Sequence, residues 1–244
     1  MSDALSARQT QILKALIDEY IEAASPVGSD ALEKKYNLGV SPATIRNEMF
    51  SLTKYGYLRQ PHTSAGRIPS PKGMKFYIDQ LMEERQLSLV DEVKAKQEVS
   101  KVRNSLESML EEAAHALSHM TKCLAIATLE HGDKVWHCGY AHIFTNPEFA
   151  NYATTSSLFT FLEEVKMMQE VFFTRMTGRT PVEVLFGEEL GWRGFDTIGI
   201  VGTRFPLGEF TVGLGVIGPV RLEYAKVIPA IRMLRSIIEE EANR

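Results

Sequence analysis

The sequence predicts an α+β protein with a helical, locally basic N-terminal region and a strand-rich C-terminal one. Three observations predict it. Apolar residues recur at helical spacing in four short segments before residue 85, interrupted once by a hairpin-like stretch. Residues 86–120 are polar, with apolar side chains loosely three and four apart. After Thr121 the chain turns to short apolar runs of strand length, with one long and one terminal helical pattern. These shifts suggest boundaries at 1–85, 86–120 and 121–244.

The first segment, residues 6–24, places Ile12, Leu13, Leu16, Ile17, Tyr20 and Ile21 on one helical face and ends at the turn SPVGS. Ser29 is expected to cap a short second helix, Asp30 to Tyr36, with Leu32 and Tyr36 inward. NLGV then turns the chain. Ser41 and Pro42 open a third helix: a capping hydroxyl, then proline at the first helical position, where its missing N–H costs nothing. Ile45, Met49 and Leu52 form its inward stripe and leave Thr44, Arg46, Asn47 and Glu48 off it.

YGYLRQ reads as a brief strand, Arg67-Ile68 as a second, and HTSAG as the loop between them. Pro61 and Pro69 cannot donate to a ladder, so both strands are edge-like. Ser70 or Pro71 begins a fourth helix through Phe76, Tyr77, Leu81 and Met82. Three helices, a hairpin and a helix within 85 residues is the order of a winged helix-turn-helix.

Residues 86–120 read as a connecting or partner-packing helix. CLAIATL and KVWHCGY follow as strands, SLFTFLEEVKMMQEVFFTRM as a helix, and VEVLFG, TIGIVGTRF and FTVGLGVIG as strands. A helix from Arg221 to Ala242 closes the chain. The second domain is thus α+β with a mostly antiparallel sheet.

The composition suits a soluble globular protein: 244 residues, 44% hydrophobic and 24% charged. No apolar run approaches the ~20 residues of a membrane span, and MSDALSARQT lacks the basic and apolar blocks of a secretory signal. Cys123 and Cys138 stand in no CxxC arrangement, which favours a reducing cytoplasm over a disulfide framework.

The net charge is -4, but it is unevenly spread. Between Ser41 and Lys75 lie six basic residues and one acid, a local charge of +5 that leaves -9 elsewhere. That footprint suits a polyanion. The third helix is the candidate for reading DNA, because an α-helix fits the major groove and its early residues carry the base contacts. Arg46 suits guanine and Asn47 adenine, each through paired hydrogen bonds, and Thr44 suits a base edge or a thymine methyl. Ser41 lies at the helix N-terminus, where backbone N–H groups favour phosphate. In PHTSAGRIPS, residues 61–70, small hydroxyls and a glycine allow close approach to a DNA backbone, and there is no acid. His62, Thr63, Ser64 and Arg67 are its candidate contacts, with Lys54, Lys72 and Lys75 as flanking phosphate cations.

Other motifs offer less. Gly213, Gly215 and Gly218 spell GxGxxG, yet Pro219 follows and only a terminal helix remains, so no dinucleotide-binding βαβ unit can form. The default for these glycines is a strand end and turn. His115 and His119 have the i, i+4 spacing of a zinc pair, without HExxH order or an evident third ligand. His62 and Ser64 are loop neighbours without the orienting group of a hydrolase. No catalytic residue, cofactor or metal is expected.

The stretch PVGSDALEKKYNLGVSPATIRNEMFSLTKYGYLRQPHTSAGRIPSPKG closely resembles the N-terminal domain of the HrcA family, bacterial heat-inducible transcription repressors. GLGVIGPVRLEYAKVIPAI and EEAAHALSHMTKCLAIAT resemble segments of the family's C-terminal region. The resemblance implies a winged helix joined by a linker to a GAF-like domain that carries a small inserted domain. It implies a homodimer that binds an inverted-repeat operator, CIRCE, on double-stranded DNA to repress chaperone operons, with the chaperonin GroEL promoting the active form and heat withdrawing that help. On this resemblance SPATIRNEM is the recognition helix and PHTSAGRIPS the wing. The chain departs from the family pattern at Ser70, usually Thr, and at Met74-Lys75, usually Tyr-Arg. It also leaves too little length between KVWHCGY and VEVLFG for the inserted domain. Two other readings stand beside it: a metabolite-sensing winged-helix regulator whose GAF-like domain binds a ligand, and a nucleotide-dependent enzyme resting on the glycine triplet.

Overall fold

The computed structural model describes residues 5–243, which form two compact units meeting at Glu83 and Glu84.

In the first unit, α1 (Ala7–Ala23) opens on a reciprocal cap: Ser6 Oγ accepts from Gln9 N–H at 3.2 Å, and Gln9 Oε1 accepts from Ser6 N–H at 3.0 Å. It buries Ile12, Leu13, Leu16 and Ile17. Helix α2 (Ser29–Lys35) is capped by Gly28, not by Ser29 as expected. Val27 exchanges two backbone hydrogen bonds with Arg67, at 2.9 and 2.8 Å. That bridge holds the chain extended through Gly28, so helical geometry starts at Ser29, whose side chain is buried. A Cβ on Gly66 would lie 2.3 Å from the Val27 oxygen, so only glycine fits beside the bridge.

Helix α3 (Pro42–Lys54) begins as the sequence says, with Ser41 as cap and Pro42 at the first position, and buries Ile45, Met49 and Leu52. The first strand is shorter than expected, and the second is displaced by one residue from the expected Arg67-Ile68. β1 (Leu58–Arg59) pairs antiparallel with β2 (Ile68–Pro69) over two residues each. Tyr55 instead caps α3, and Gly56 turns the chain at φ +77°. Ser70 caps α4 (Pro71–Phe76) through Gly73 N–H at 3.0 Å, and a wide π-type turn, Tyr77–Leu81, follows. The Tyr77 hydroxyl donates to Asp18 Oδ1 at 2.6 Å, tying that turn to α1.

The second unit opens with two helices where one was expected, α5 (Leu89–Lys101) and α6 (Leu106–Thr121). The break has a local cause: Ser105 leaves helical geometry and its side chain accepts from Ser108 N–H at 3.3 Å, restarting the helix. β3 (Leu124–Leu129) pairs with β4 (Val135–Cys138), and the sheet continues to β5 (Glu183–Phe186), β6 (Ile198–Leu207) and β7 (Phe210–Pro219) in the order β4-β3-β7-β6-β5. Every neighbouring pair is antiparallel. The α+β class with an antiparallel sheet is as the sequence predicted.

The expected helix over 157–176 is also broken. α7 (Tyr152–Glu163) ends at Glu164, and α8 (Val165–Gln169) runs into a π-type turn, Glu170–Arg175. A one-turn helix α9 (Gly187–Leu190) follows β5. The closing helix α10 (Tyr224–Ala242) starts three residues later than expected, because Arg221 is drawn away by Glu148 into an ion pair with an N–O distance of 2.6 Å.

Helices α6 and α10 pack together and against the sheet. Leu124, Ile126, Ile198, Ile200 and Ile217 join a separate cluster with Leu158, Phe161, Met168 and Phe172. Successive strand residues point to opposite faces, so both faces are covered and β3 is buried throughout. The glycine triplet lies inside β7, correcting the expected strand end and turn. Cβ atoms on Gly213 and Gly215 would meet the Phe172 ring at 2.8 and 3.1 Å. Gly213 makes room for an aromatic ring, while a Cβ on Gly215 would also lie 2.5 Å from the Val201 backbone oxygen.

Candidate nucleic-acid interface

Helix α3 divides its residues sharply. With Ile45, Met49 and Leu52 buried, the opposite row is exposed: Ala43, Arg46, Asn47, Phe50 and Lys54. These positions are three and four apart and share one helical face. Ser41 and Thr44 stand at the N-terminal end. Ser41 Oγ accepts from Thr44 N–H at 3.3 Å and lies 3.0 Å from Thr44 Oγ1, so the two hydroxyls are held together over the helix start.

Glu48, the one acid of the basic window, is turned from this row. Gln9 Nε2 donates to it at 3.1 Å and Arg8 stands 4.0 Å away, both on α1. The exposed face of α3 therefore presents cations, an amide and apolar groups, with no carboxylate.

The hairpin loop is fixed by its own chain. Gln60 Nε2 donates to the carbonyls of Thr63 and Ala65, both at 2.9 Å. His62 Nδ1 lies 3.2 Å from Ser64 Oγ. His62, Thr63 and Ser64 are exposed at the tip. Between this loop, α2 and α3 runs a cleft of about 400 Å³ whose lining includes Asp30, Arg46, Met49, Gln60, Thr63 and Ser64. The structure thus brings Arg46 and the loop tip to one cleft.

Arg67 lines the same cleft, and the remaining predicted cations lie outside it. Arg67 is half-buried, and its Nε donates to Thr53 Oγ1 at 3.2 Å. Lys72 donates to the Tyr55 carbonyl at 2.8 Å and sits 4.3 Å from the centre of the Tyr57 ring. Lys75, on α4, is half-buried. Lys54 is exposed, 4.8 Å above the Phe50 ring. Sequence reasoning missed Phe50, although its spacing from Arg46, Asn47 and Lys54 would have found it, and it missed Gln60.

In the second unit, His115 and His119 line a cleft of about 340 Å³ between α5 and α6, with Asp91, Glu98 and Glu112. The Cys138 thiol lies 3.0 Å from His115 Nδ1. Among the described residues no group of three or more His, Cys, Asp or Glu is arranged to hold a metal ion. Among them, too, no helix is long and apolar enough to cross a membrane.

A family model described as the HrcA protein C-terminal domain matches residues 74–228. The chain belongs to the HrcA family. A heat-inducible transcription repressor HrcA of Carboxydothermus hydrogenoformans is 28% identical to it, over 97% of this chain and 98% of the relative. A HrcA of Symbiobacterium thermophilum is 27% identical, with 96% and 97% covered. Over a shorter stretch, 50% of this chain, a HrcA of Pelotomaculum thermopropionicum reaches 43% identity. The Carboxydothermus alignment runs over 336 positions against 244 residues here, so it opens long gaps in this chain. A crystal structure of a hypothetical protein shares the fold, with a TM-score of 0.73 at 17% identity and 97% of both chains covered.

Proposed function

We propose that this member of the HrcA family represses class I heat-shock (chaperone) operons by binding, as a homodimer, a CIRCE-type inverted repeat in double-stranded DNA. The family's curated relatives are named transcription repressors, and the chain is read as a repressor, not an enzyme. The carrying observation is the exposed, carboxylate-free row on α3, whose Arg46 shares a cleft with the loop tip of the β1–β2 hairpin.

On this reading residues 1–85 are a winged-helix domain. α3 enters the major groove, where Arg46 and Asn47 read bases and Thr44 and Ser41 lie at the backbone end. The hairpin is the wing, and His62, Thr63 and Ser64 approach the sugar–phosphate backbone. Lys54 supplies a direct phosphate contact. Arg67, Lys72 and Lys75 add to the positive field, while Arg67 and Lys72 also brace the domain. Residues 86–120 connect to a GAF-like regulatory and dimerisation domain, 121–244, which here lacks the family's inserted domain. Two-fold symmetry of the protein then mirrors that of the operator. The protein works in the cytoplasm, and the GroEL chaperonin maintains its active form until heat diverts it.

Electrophoretic mobility of the full chain on three duplexes tests this. An intact inverted repeat should be bound by two chains, about 10³-fold or more tighter than a scrambled duplex, with a single half-site in between. Equal affinity for all three would overturn the reading. Adding chaperonin should raise the fraction of chain active for the operator; no change would remove that arm alone.

A further inference from the structure

Phe50 is 53% exposed, on the same face of α3 as Arg46, Asn47 and Lys54. Phenylalanine is ordinarily among the buried residues, and this ring lies on the face turned from the core. The Lys54 ammonium lies 4.8 Å from the ring centre, close enough to hold the ring's orientation. The row therefore combines two base-edge hydrogen-bonding groups, a phosphate-seeking cation and one large apolar surface.

A base pair offers the major groove one apolar group, the 5-methyl of thymine. We infer that Phe50 is a specificity residue that packs its ring against a thymine 5-methyl in each half-site, while Lys54 above the ring reaches the neighbouring phosphate. The inference rests on the proposed DNA-binding function and deepens it. Arg46 and Asn47 sit one turn nearer the helix start, so the thymine lies on the flank of the bases they read, towards the C-terminal end of α3. The contact needs no donor or acceptor and makes the protein sensitive to a methyl group that leaves the Watson–Crick pairing untouched.

Replacing thymine by deoxyuridine removes that methyl and preserves every hydrogen-bonding group. Operator duplexes are first selected from random sequence with the full chain, then each half-site thymine is replaced by deoxyuridine in turn. Wild type should lose affinity at one symmetry-related thymine by about fourfold per half-site, the worth of one buried methyl. Phe50→Ala should bind the unmodified operator at least that much more weakly and be indifferent to deoxyuridine at that position. Phe50→Leu, which keeps an apolar surface, should retain most of the sensitivity. Equal loss on thymine and deoxyuridine duplexes at every position, or no loss from Phe50→Ala, overturns the inference while leaving DNA binding intact. If wild type selects no operator at all, the proposed function falls and this contact with it.

Discussion

The Lys72 ammonium donates to the Tyr55 carbonyl oxygen at 2.8 Å, closing the C-terminal end of α3 from the far side of the hairpin. A cation at that end satisfies a carbonyl the helix leaves open and complements its dipole. Lys72 also lies 4.3 Å from the Tyr57 ring centre. A residue that the sequence marks as a phosphate contact is therefore a brace for α3.

Lys72→Met should lower the stability of the full chain by about 1 kcal/mol, from one charge-assisted hydrogen bond and one cation–π contact. Urea titration followed by circular dichroism measures it. DNA affinity should fall on operator and scrambled duplexes alike. An unchanged unfolding midpoint would show that the contact does not brace the helix.

Gly73 packs against the hairpin so closely that a Cβ would lie 2.0 Å from the Tyr57 oxygen. Gly73→Ala should cost more than about 2 kcal/mol, because backbone must move to admit the methyl. Gly28, where an added Cβ would meet nothing within 4 Å, serves as control, and Gly28→Ala should cost under about 1 kcal/mol. Comparable midpoints for the two variants in thermal melts would contradict the packing argument.

A half-buried imidazole and a buried thiol make the stability of the second unit depend on pH. Burial holds the His137 imidazole below its ordinary range. The unfolded chain takes up that proton first, so stability falls as pH drops below about 6.5. Burial pushes the Cys123 thiol up from 9.0 to about 11, and that stability is lost as pH rises between those values. The alkaline loss should reach roughly 2–3 kcal/mol, and Cys123→Ala should abolish it. Denaturation midpoints measured from pH 5 to 11 check both arms; a profile flat above pH 9 in wild type would refute the second.

Much of the first unit was legible because its signals are local. Ser41-Pro42 and the stripe Ile45, Met49 and Leu52 mark α3, and the structure begins it at Pro42. Elsewhere local pattern misled. Val99, Val102 and Leu106 keep helical spacing straight across the break after α5, while the decisive signal was a single capping side chain, Ser105. The start of α7 was missed although Asn151 accepts from Ala153 and Thr154 N–H at 2.9 and 3.3 Å. Arg221 read as helix, and Glu148, distant in sequence, removed it. For the candidate interface, sequence supplied charge but not direction. Arg67 and Lys72 hydrogen-bond back to Thr53 and Tyr55, Glu48 turns towards α1, and Phe50 turns out.

The central claim is that α3 reads bases and that cations at its margin only hold the duplex. It is tested most directly by the ratio of operator to scrambled-duplex affinity in Arg46→Ala and Lys54→Ala, measured at one salt concentration. Arg46→Ala should lower the ratio by about tenfold or more, as expected for a lost bidentate base contact of ~1–3 kcal/mol. Lys54→Ala should weaken both duplexes alike and leave the ratio unchanged. A ratio that both substitutions lower equally, or that neither changes, would contradict the account.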